Sequence, residues 1–327
     1  MTTDSGTRVA VVGARGVGRY HARWWALEGA QVCAIVGTSE TTLQEARANL
    51  EQNFGFSGNT YTSLEELLEN EDVDIVDVCS PHIHHGEHVR IALENRCHVL
   101  CEKPFIYRPD AGREELLAEA EVLLELAERR GRRLSVCLQY TRAADHAIRH
   151  SLENQGWTTL RHFRSRLDVP ARGRGPDPSR IWLDLAPHAL SFLYRLLPQA
   201  AIDLDTLETS FEDYKAYASF EVCSTGEERT ACQLEMANNP QSGSHTRLFS
   251  LNGRDMQFEG ATDERSVYAM RVVTPDEEWK TNDFMREFIR AFLWNEATVR
   301  PKEILVNLDW TLRILEAASA SGQSAPQ

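Results

Sequence analysis

Val9-Ala10-Val11-Val12-Gly13-Ala14-Arg15-Gly16-Val17-Gly18 decides how the first half of this chain folds. Its four opening apolar residues are too few for a helix and read as a short buried strand. Three glycines then fall at 13, 16 and 18, and Arg19 to Glu28, with Trp24, Trp25 and Leu27, reads as a helix closed by Gly29. A strand, a glycine-rich turn and a helix together make an anion cradle. Glycine permits the tight turn and close backbone approach, and the helix N-terminus presents free N–H groups with a partial positive charge. Arg15 stands where a GxGxxG loop has its middle glycine, with an extra glycine at 16. Its side chain either reaches an incoming phosphate or hinders it, and both readings stay open here.

Strand and helix continue to alternate beyond this loop. Gln31 to Val36, Asp74 to Cys79, His98 to Cys101 and Leu134 to Gln139 read as further short strands. Between them, Thr42-Leu-Gln-Glu45 and Ser63-Leu-Glu-Glu66 read as capping boxes opening two helices. A third helix covers about 87–94, and Asp110 is expected to cap a long one ending at Arg130, before Gly131. Buried strands alternating with helices imply a doubly wound parallel sheet, the Rossmann arrangement of an α/β fold. Such a sheet binds its ligand beyond the carboxyl ends of its strands, here Gly13, Gly37, Ser80-Pro81 and Glu102-Lys103-Pro104.

The second half has another texture. Arg172 to Pro178 reads as a loop from its Gly and Pro, and Leu190 to Leu197 as an apolar helix halted by Pro198. Strand-like segments near 216–223, 230–236, 246–251 and 266–273 follow without helices between them, which implies an open, mostly antiparallel sheet in an α+β domain. Helices over about 281–295 and 303–318 and a frayed tail from Ser319 complete the reading. The expected division is a dinucleotide-binding domain over 1–140 and a substrate and oligomerisation domain over 141–327.

Length and charge bound the function. The 327 residues suit two domains. With 35 basic against 49 acidic residues the formal charge is −14, which disfavours nucleic acid and anionic membrane as partners. No apolar run approaches the roughly 18–20 residues of a membrane span, and Met1 to Arg8 is too short and polar for a secretory signal. Seven cysteines without a CxxC pair fit a reduced, cytoplasmic protein.

His98-Val-Leu-Cys-Glu-Lys-Pro104, with the glycine loop, Asp77-Val-Cys-Ser-Pro81 and the later Asp184-x3-His188, resembles the Gfo/Idh/MocA family of oxidoreductases, which includes glucose–fructose oxidoreductase and inositol dehydrogenase. The resemblance follows motif order along nearly the whole chain. It implies hydride transfer between a nicotinamide and a carbinol or carbonyl carbon of a sugar or polyol. It also implies a homodimer or homotetramer formed through the C-terminal sheet. Lys103, Asp184 and His188 would be the catalytic trio. The chemistry agrees with these roles: an imidazole moves the hydroxyl proton near neutral pH, a carboxylate orients it, and an ammonium stabilises developing alkoxide charge.

The implied cofactor residues are Gly13, Arg15, Gly16, Val17 and Gly18 in the loop, Thr38 and Ser39 after the second strand, Ser80, Pro81, His82 and His85 after the third, and Glu102, Lys103 and Gln139. An acid that would bind the adenine ribose belongs about 20 residues past the loop. Thr38 stands near that place, so the expectation leans to NADP over NAD. Substrate contacts are expected from Lys103, Tyr140, Arg142, Arg172, Trp182, Asp184 and His188. Asp184 is expected in a turn and His188 in the helix opening after it, because Pro187 suits a first helical turn. The sequence departs from the family at Arg180-Ile-Trp-Leu183, Ala186 and Ser191, changes that alter the substrate pocket and leave the acid/base trio intact. His84-His-Gly-Glu-His88 matches an HxxEH zinc pattern, but Gly86 within a short helix argues for no metal there. Two rival readings remain: the same fold using tightly held NAD for transient redox, and a non-catalytic dinucleotide-binding regulator.

Overall fold

The computed structural model describes residues 6–152, 159–224, 228–241, 243–264, 267–296 and 298–320. They form two compact units. One holds the chain to Leu138 together with Met285–Leu305, and the other holds Gln139–Phe284 and the chain from Val306.

In the first unit six strands, β1 (Arg8–Val12), β2 (Gln31–Val36), β3 (Asn59–Tyr61), β4 (Ile75–Val78), β5 (His98–Cys101) and β6 (Leu134–Val136), pair in the order β3-β2-β1-β4-β5-β6. Every pairing is parallel. Residues 9–12, 75–78 and 99–101 are buried along their whole length, as strands covered on both faces must be. The connecting helices are α1 (Gly18–Leu27), α2 (Glu40–Phe54), α3 (Leu64–Asn70), α4 (His85–Glu94) and α5 (Arg113–Arg130). The strand order reverses between β1 and β4, and the crevice beyond their tips is where a doubly wound sheet takes a ligand.

Two helix starts differ from expectation. Ser39, not Thr42, caps α2: its hydroxyl accepts from the Thr42 N–H at 3.3 Å, while the Ser39 N–H donates back to the Thr42 hydroxyl at 3.2 Å. Asp110 caps nothing in α5, which opens after Gly112. Ser63 does cap α3, accepting from the Glu66 N–H at 3.2 Å. The three-residue strand β3 has no period long enough to be read from sequence.

The returning segment Met285–Leu305 completes this unit. Arg286 donates to Glu28 at 2.5 Å, Phe292 packs edge-on to Trp25 with ring centres 6.3 Å apart, and Arg133 donates to the Phe292 carbonyl. Ser135 on β6 meets Thr298 at 3.0 Å.

The second unit begins with α6 (Tyr140–Ala147), which continues as a wider turn to Leu152. Its sheet has eight strands: β7 (His162–Pro170), β8 (Ala201–Glu212), β9 (Lys215–Cys223), β10 (Arg229–Asn239), β11 (Thr246–Leu251), β12 (Arg254–Thr262), β13 (Tyr268–Val273) and β14 (Glu278–Asn282). The order is β14-β13-β12-β11-β7-β10-β9-β8. All neighbours run antiparallel except β7 with β10. Strands β9 and β10 alternate buried and accessible residues, so one face carries Ala216, Ala218, Phe220, Cys232, Leu234 and Met236 into the core. Helix α7 (Pro178–Leu196) lies against strands β7 to β10.

Sequence periodicity locates β9, β10, β11 and β13, but not β7, β8, β12 or β14. Residue 266, the first of the expected last strand, lies outside the described residues. Helices α8 (Phe284–Leu293) and α9 (Pro301–Ala320) take the places expected for two C-terminal helices. Ser319 and Ala320 still belong to α9, and 321–327, the rest of the tail expected to fray, lie outside the described residues, as do the first five. No helix among the described residues is long and apolar enough to cross a membrane.

Candidate active site

The glycine loop is shaped by close backbone contacts. Gly13 has φ +89°, and a Cβ there would lie 2.7 Å from the Cys79 carbonyl oxygen at the end of β4. A Cβ at Gly18 would lie 2.5 Å from the Gly13 carbonyl oxygen. Both positions therefore demand glycine so that α1 can start directly above β1 and β4. Gly16, by contrast, faces open space. Val17 occupies the N-cap of α1 with no side-chain acceptor, and the first turn holds no acidic residue. The Tyr20 and His21 N–H groups turn to the Val17 carbonyl, so only the N–H groups at the very start of the turn are left to an outside anion.

Arg15 does not lie across this opening. Its guanidinium turns to α2 and pairs with Glu45 at 3.2 Å, with 61% of the side chain exposed. Thr38 is exposed after β2, and the neighbouring Ser39 hydroxyl is engaged in capping α2.

At the tips of β4 and β5 a set of short contacts fixes the segment around Lys103. Ser80 meets His88 Nδ1 at 2.9 Å through its hydroxyl. His85 is buried between three carbonyls: Nε2 faces Ser80 at 2.9 Å, and Nδ1 faces Pro104 at 2.9 Å and Phe105 at 3.2 Å. Burial lowers its pKa, while the carbonyls pull the other way. His85 thus ties the two strand tips together. His82 instead packs edge-on to Tyr107, with centres 5.2 Å apart. The Lys103–Pro104 bond is cis. The Lys103 N–H donates to Glu102 Oε2 at 3.2 Å, and the side chain is half-buried.

Beneath the loop lies a buried charge cluster that sequence reading missed. His21, on α1, is fully buried, with Nδ1 2.9 Å from Asp77 on β4 and Nε2 3.1 Å from Glu102. The Trp25 indole donates to the same Asp77 carboxylate at 2.6 Å. Burial alone would depress the imidazole, but Asp77 holds its pKa well above the ordinary value, so His21 is a cation clamped between two carboxylates. Two groups with metal-ligating potential among the described residues, His21 with Glu102 and Cys137 and His21 with Asp77 and Cys79, both centre here rather than on the His84–His88 loop. The available signal was Asp77 itself, a carboxylate inside an apolar strand, facing His21 and Trp25 one helical turn apart.

In the second unit the local helix reading is corrected. Asp177 caps α7, accepting from the Arg180 N–H at 2.9 Å, and Pro178, not Pro187, takes the first-turn place. Pro187 sits inside the helix, so Asp184 and His188 are both interior residues one turn apart on one face. The Asn307 side chain donates to the Pro187 carbonyl at 2.9 Å, and the Ser191 hydroxyl to the His188 carbonyl at 2.9 Å. His188 is 9% exposed, and its ring lies 4.7 Å from that of Tyr140 at the start of α6. Burial pushes the Tyr140 phenol up to about 12, so it is a neutral donor at physiological pH.

The other expected cofactor and substrate residues diverge. Gln139 occupies the N-cap of α6. Arg142 lies 3.5 Å from Asp145, which also takes Arg195 at 2.8 Å. Trp182 is wholly buried, donates to the Thr311 carbonyl at 2.9 Å and packs against Phe211, so it serves the core rather than a ligand. Arg172 is exposed with φ +52°, whereas Arg180 is held by Asp177 at 3.4 Å.

Residues 7–138 match the model of the oxidoreductase family with an NAD-binding Rossmann fold. The chain is 34% identical over 113 residues to D-glucoside 3-dehydrogenase of Escherichia coli, covering 34% of this chain and 31% of that protein. It is 31% identical over 133 residues to glucose-6-phosphate 3-dehydrogenase of Bacillus subtilis, covering 41% and 34%. The matched segment therefore spans about a third of these relatives. Among solved structures, scyllo-inositol dehydrogenase of Lactobacillus casei superposes over 98% of both chains with a TM-score of 0.70 at 15% identity, a likeness of fold. The N-terminal unit thus matches the Gfo/Idh/MocA oxidoreductase family over the segment that carries its NAD-binding Rossmann fold.

Proposed function

We propose that the protein is a nicotinamide-dependent dehydrogenase or reductase that moves a hydride to or from a carbinol or carbonyl carbon of a sugar, polyol or related small molecule. The observation that carries this reading is the uncapped N-terminus of α1 behind Gly13 and Gly18, in the same unit as a strand-tip lysine whose backbone is held by a buried carboxylate. Sugar dehydrogenases among its relatives support the substrate class.

A nicotinamide coenzyme, when bound, supplies the hydride acceptor or donor. The first turn of α1 would hold its pyrophosphate. The absence of a carboxylate at Gly37-Thr38-Ser39 and the placement of Arg15 beside α2 favour NADP over NAD. His188 takes the hydroxyl proton as the carbinol is oxidised and returns it in the reverse direction. Asp184, one turn away, orients the imidazole or the sugar, and the neutral Tyr140 phenol donates to a substrate oxygen. The Lys103 ammonium stabilises the developing alkoxide. The accessible face of the eight-stranded sheet is our choice for self-association into a homodimer or homotetramer. The seven free cysteines suit a reducing cytoplasm.

Lys103→Ala should lower turnover about 10²–10³-fold on a true substrate, the range for losing one donor to a developing oxyanion, while coenzyme binding followed by fluorescence persists. Near wild-type turnover in this variant refutes the catalytic assignment. Coenzyme that co-purifies and survives gel filtration, with no absorbance change on adding free coenzyme, would turn the reading toward internal, transient redox.

A further inference from the structure

Arg247 lies on β11 two residues before Phe249, so both side chains take the same face of the sheet. Phe249 is fully buried, and its ring lies 5.5 Å from that of Tyr140, which also lies 4.7 Å from that of His188. From β13, the Tyr268 hydroxyl comes over Gly260 on β12: a Cβ there would lie 2.9 Å from the phenol oxygen. The glycine thus leaves room for the phenol, and strand register puts Tyr268 on the same sheet face as the half-buried Arg247, close enough for the two to interact electrostatically.

Arg247 makes no ion pair among the described residues, although the charge of Asp283 reaches it. Arg172 and Arg247 both act on His245, whose pKa falls through burial first and then through the two guanidinium charges. Two cations in one neighbourhood of a chain with a net charge of −14 make a local positive spot. A guanidinium fork matches the geometry of carboxylate and phosphate, and a phenol on the same face has an O–H to donate to the same group.

We propose that Arg247 and Tyr268, beside Tyr140 and His188, hold an anionic group of the substrate, a carboxylate or a phosphate. The inference rests on the sugar-redox reading above and narrows it to acidic or phosphorylated sugars. Arg247 is then the residue that discriminates charged from neutral sugars.

Calorimetry on the full chain, with and without reduced coenzyme, tests this with D-glucuronate, glucose 6-phosphate and glucose as probes. At least one charged sugar should bind about tenfold or more tighter than glucose, and the preferred one identifies the group as carboxylate or phosphate. Arg247→Met should weaken that ligand about 10- to 100-fold, as expected for loss of a charge-assisted bond, and glucose less than about threefold. Tyr268→Phe should weaken the same ligand by a smaller factor. If Arg247→Met does not fold, Arg247→Lys keeps the charge without the fork and should show an intermediate, anion-specific loss. Equal affinity for all three probes, no binding of any, or equal weakening of all three by the variants overturns the proposal. Failure of the redox reading would show separately, as absence of coenzyme binding.

Discussion

His21 shows how much one buried side chain can govern. It holds Asp77 at 2.9 Å and Glu102 at 3.1 Å, and the other oxygen of Glu102 accepts the Lys103 N–H. The helix that starts at the glycine loop is thereby tied to the strand tip that carries Lys103. His21→Ala leaves two buried carboxylates without their cation, and urea denaturation should show a loss of about 3–5 kcal/mol; a loss under about 1 kcal/mol would refute the clamp. The His21 pKa is raised in the folded state, so its proton contributes fully below the unfolded value near 6.5, and the contribution fades as pH rises through the folded value. The variant should therefore lose less stability than wild type between pH 7 and alkaline conditions. The carboxylates of this cluster were visible in the sequence, but their common partner was not. Nothing in residue spacing says that positions 21, 77 and 102 meet until the strand order is known.

Individual elements carry their own tests. On β5, His98 Nδ1 accepts the Arg133 N–H at 2.9 Å, which requires an unprotonated nitrogen. Burial, with Arg133 and Arg132 nearby, lowers this imidazole from 6.5 to about 4. It costs nothing above pH 6.5 and destabilises progressively as pH falls through that value toward about 4, because the unfolded chain binds the proton more readily. Melting temperatures at pH 7 and pH 5 should diverge more for wild type than for His98→Gln, and an unchanged difference would count against this account. Helix α7 teaches the converse lesson. Two prolines compete for the helix start, and local reading chose Pro187. The Asp177 cap and the Asn307 bond to the Pro187 carbonyl favour the earlier start, and a distant residue of α9 supplied the second of these.

At the scale of the whole molecule, chain order and compact units do not coincide. The family match ends at residue 138, yet Met285–Leu305 belongs to the same unit and brings Arg286 to Glu28 and Phe292 to Trp25. A fragment ending at Leu138 should therefore melt at least several degrees below the intact chain and bind coenzyme more weakly. Adding residues 285–305 through a flexible linker should restore much of both; a fragment as stable as the intact chain would show that the returning segment is dispensable. The sequence by itself determined the Rossmann half, because buried parallel strands write unbroken apolar runs and a glycine loop announces the turn between strand and helix. It also named Lys103, Asp184 and His188 by motif. Only the tertiary structure decided the partners of His21, the helical place of Asp184 and the setting of Arg247 beside Tyr268. Those contacts join residues tens of positions apart or more, whose proximity follows from strand order and register, and neither is encoded in local period or spacing.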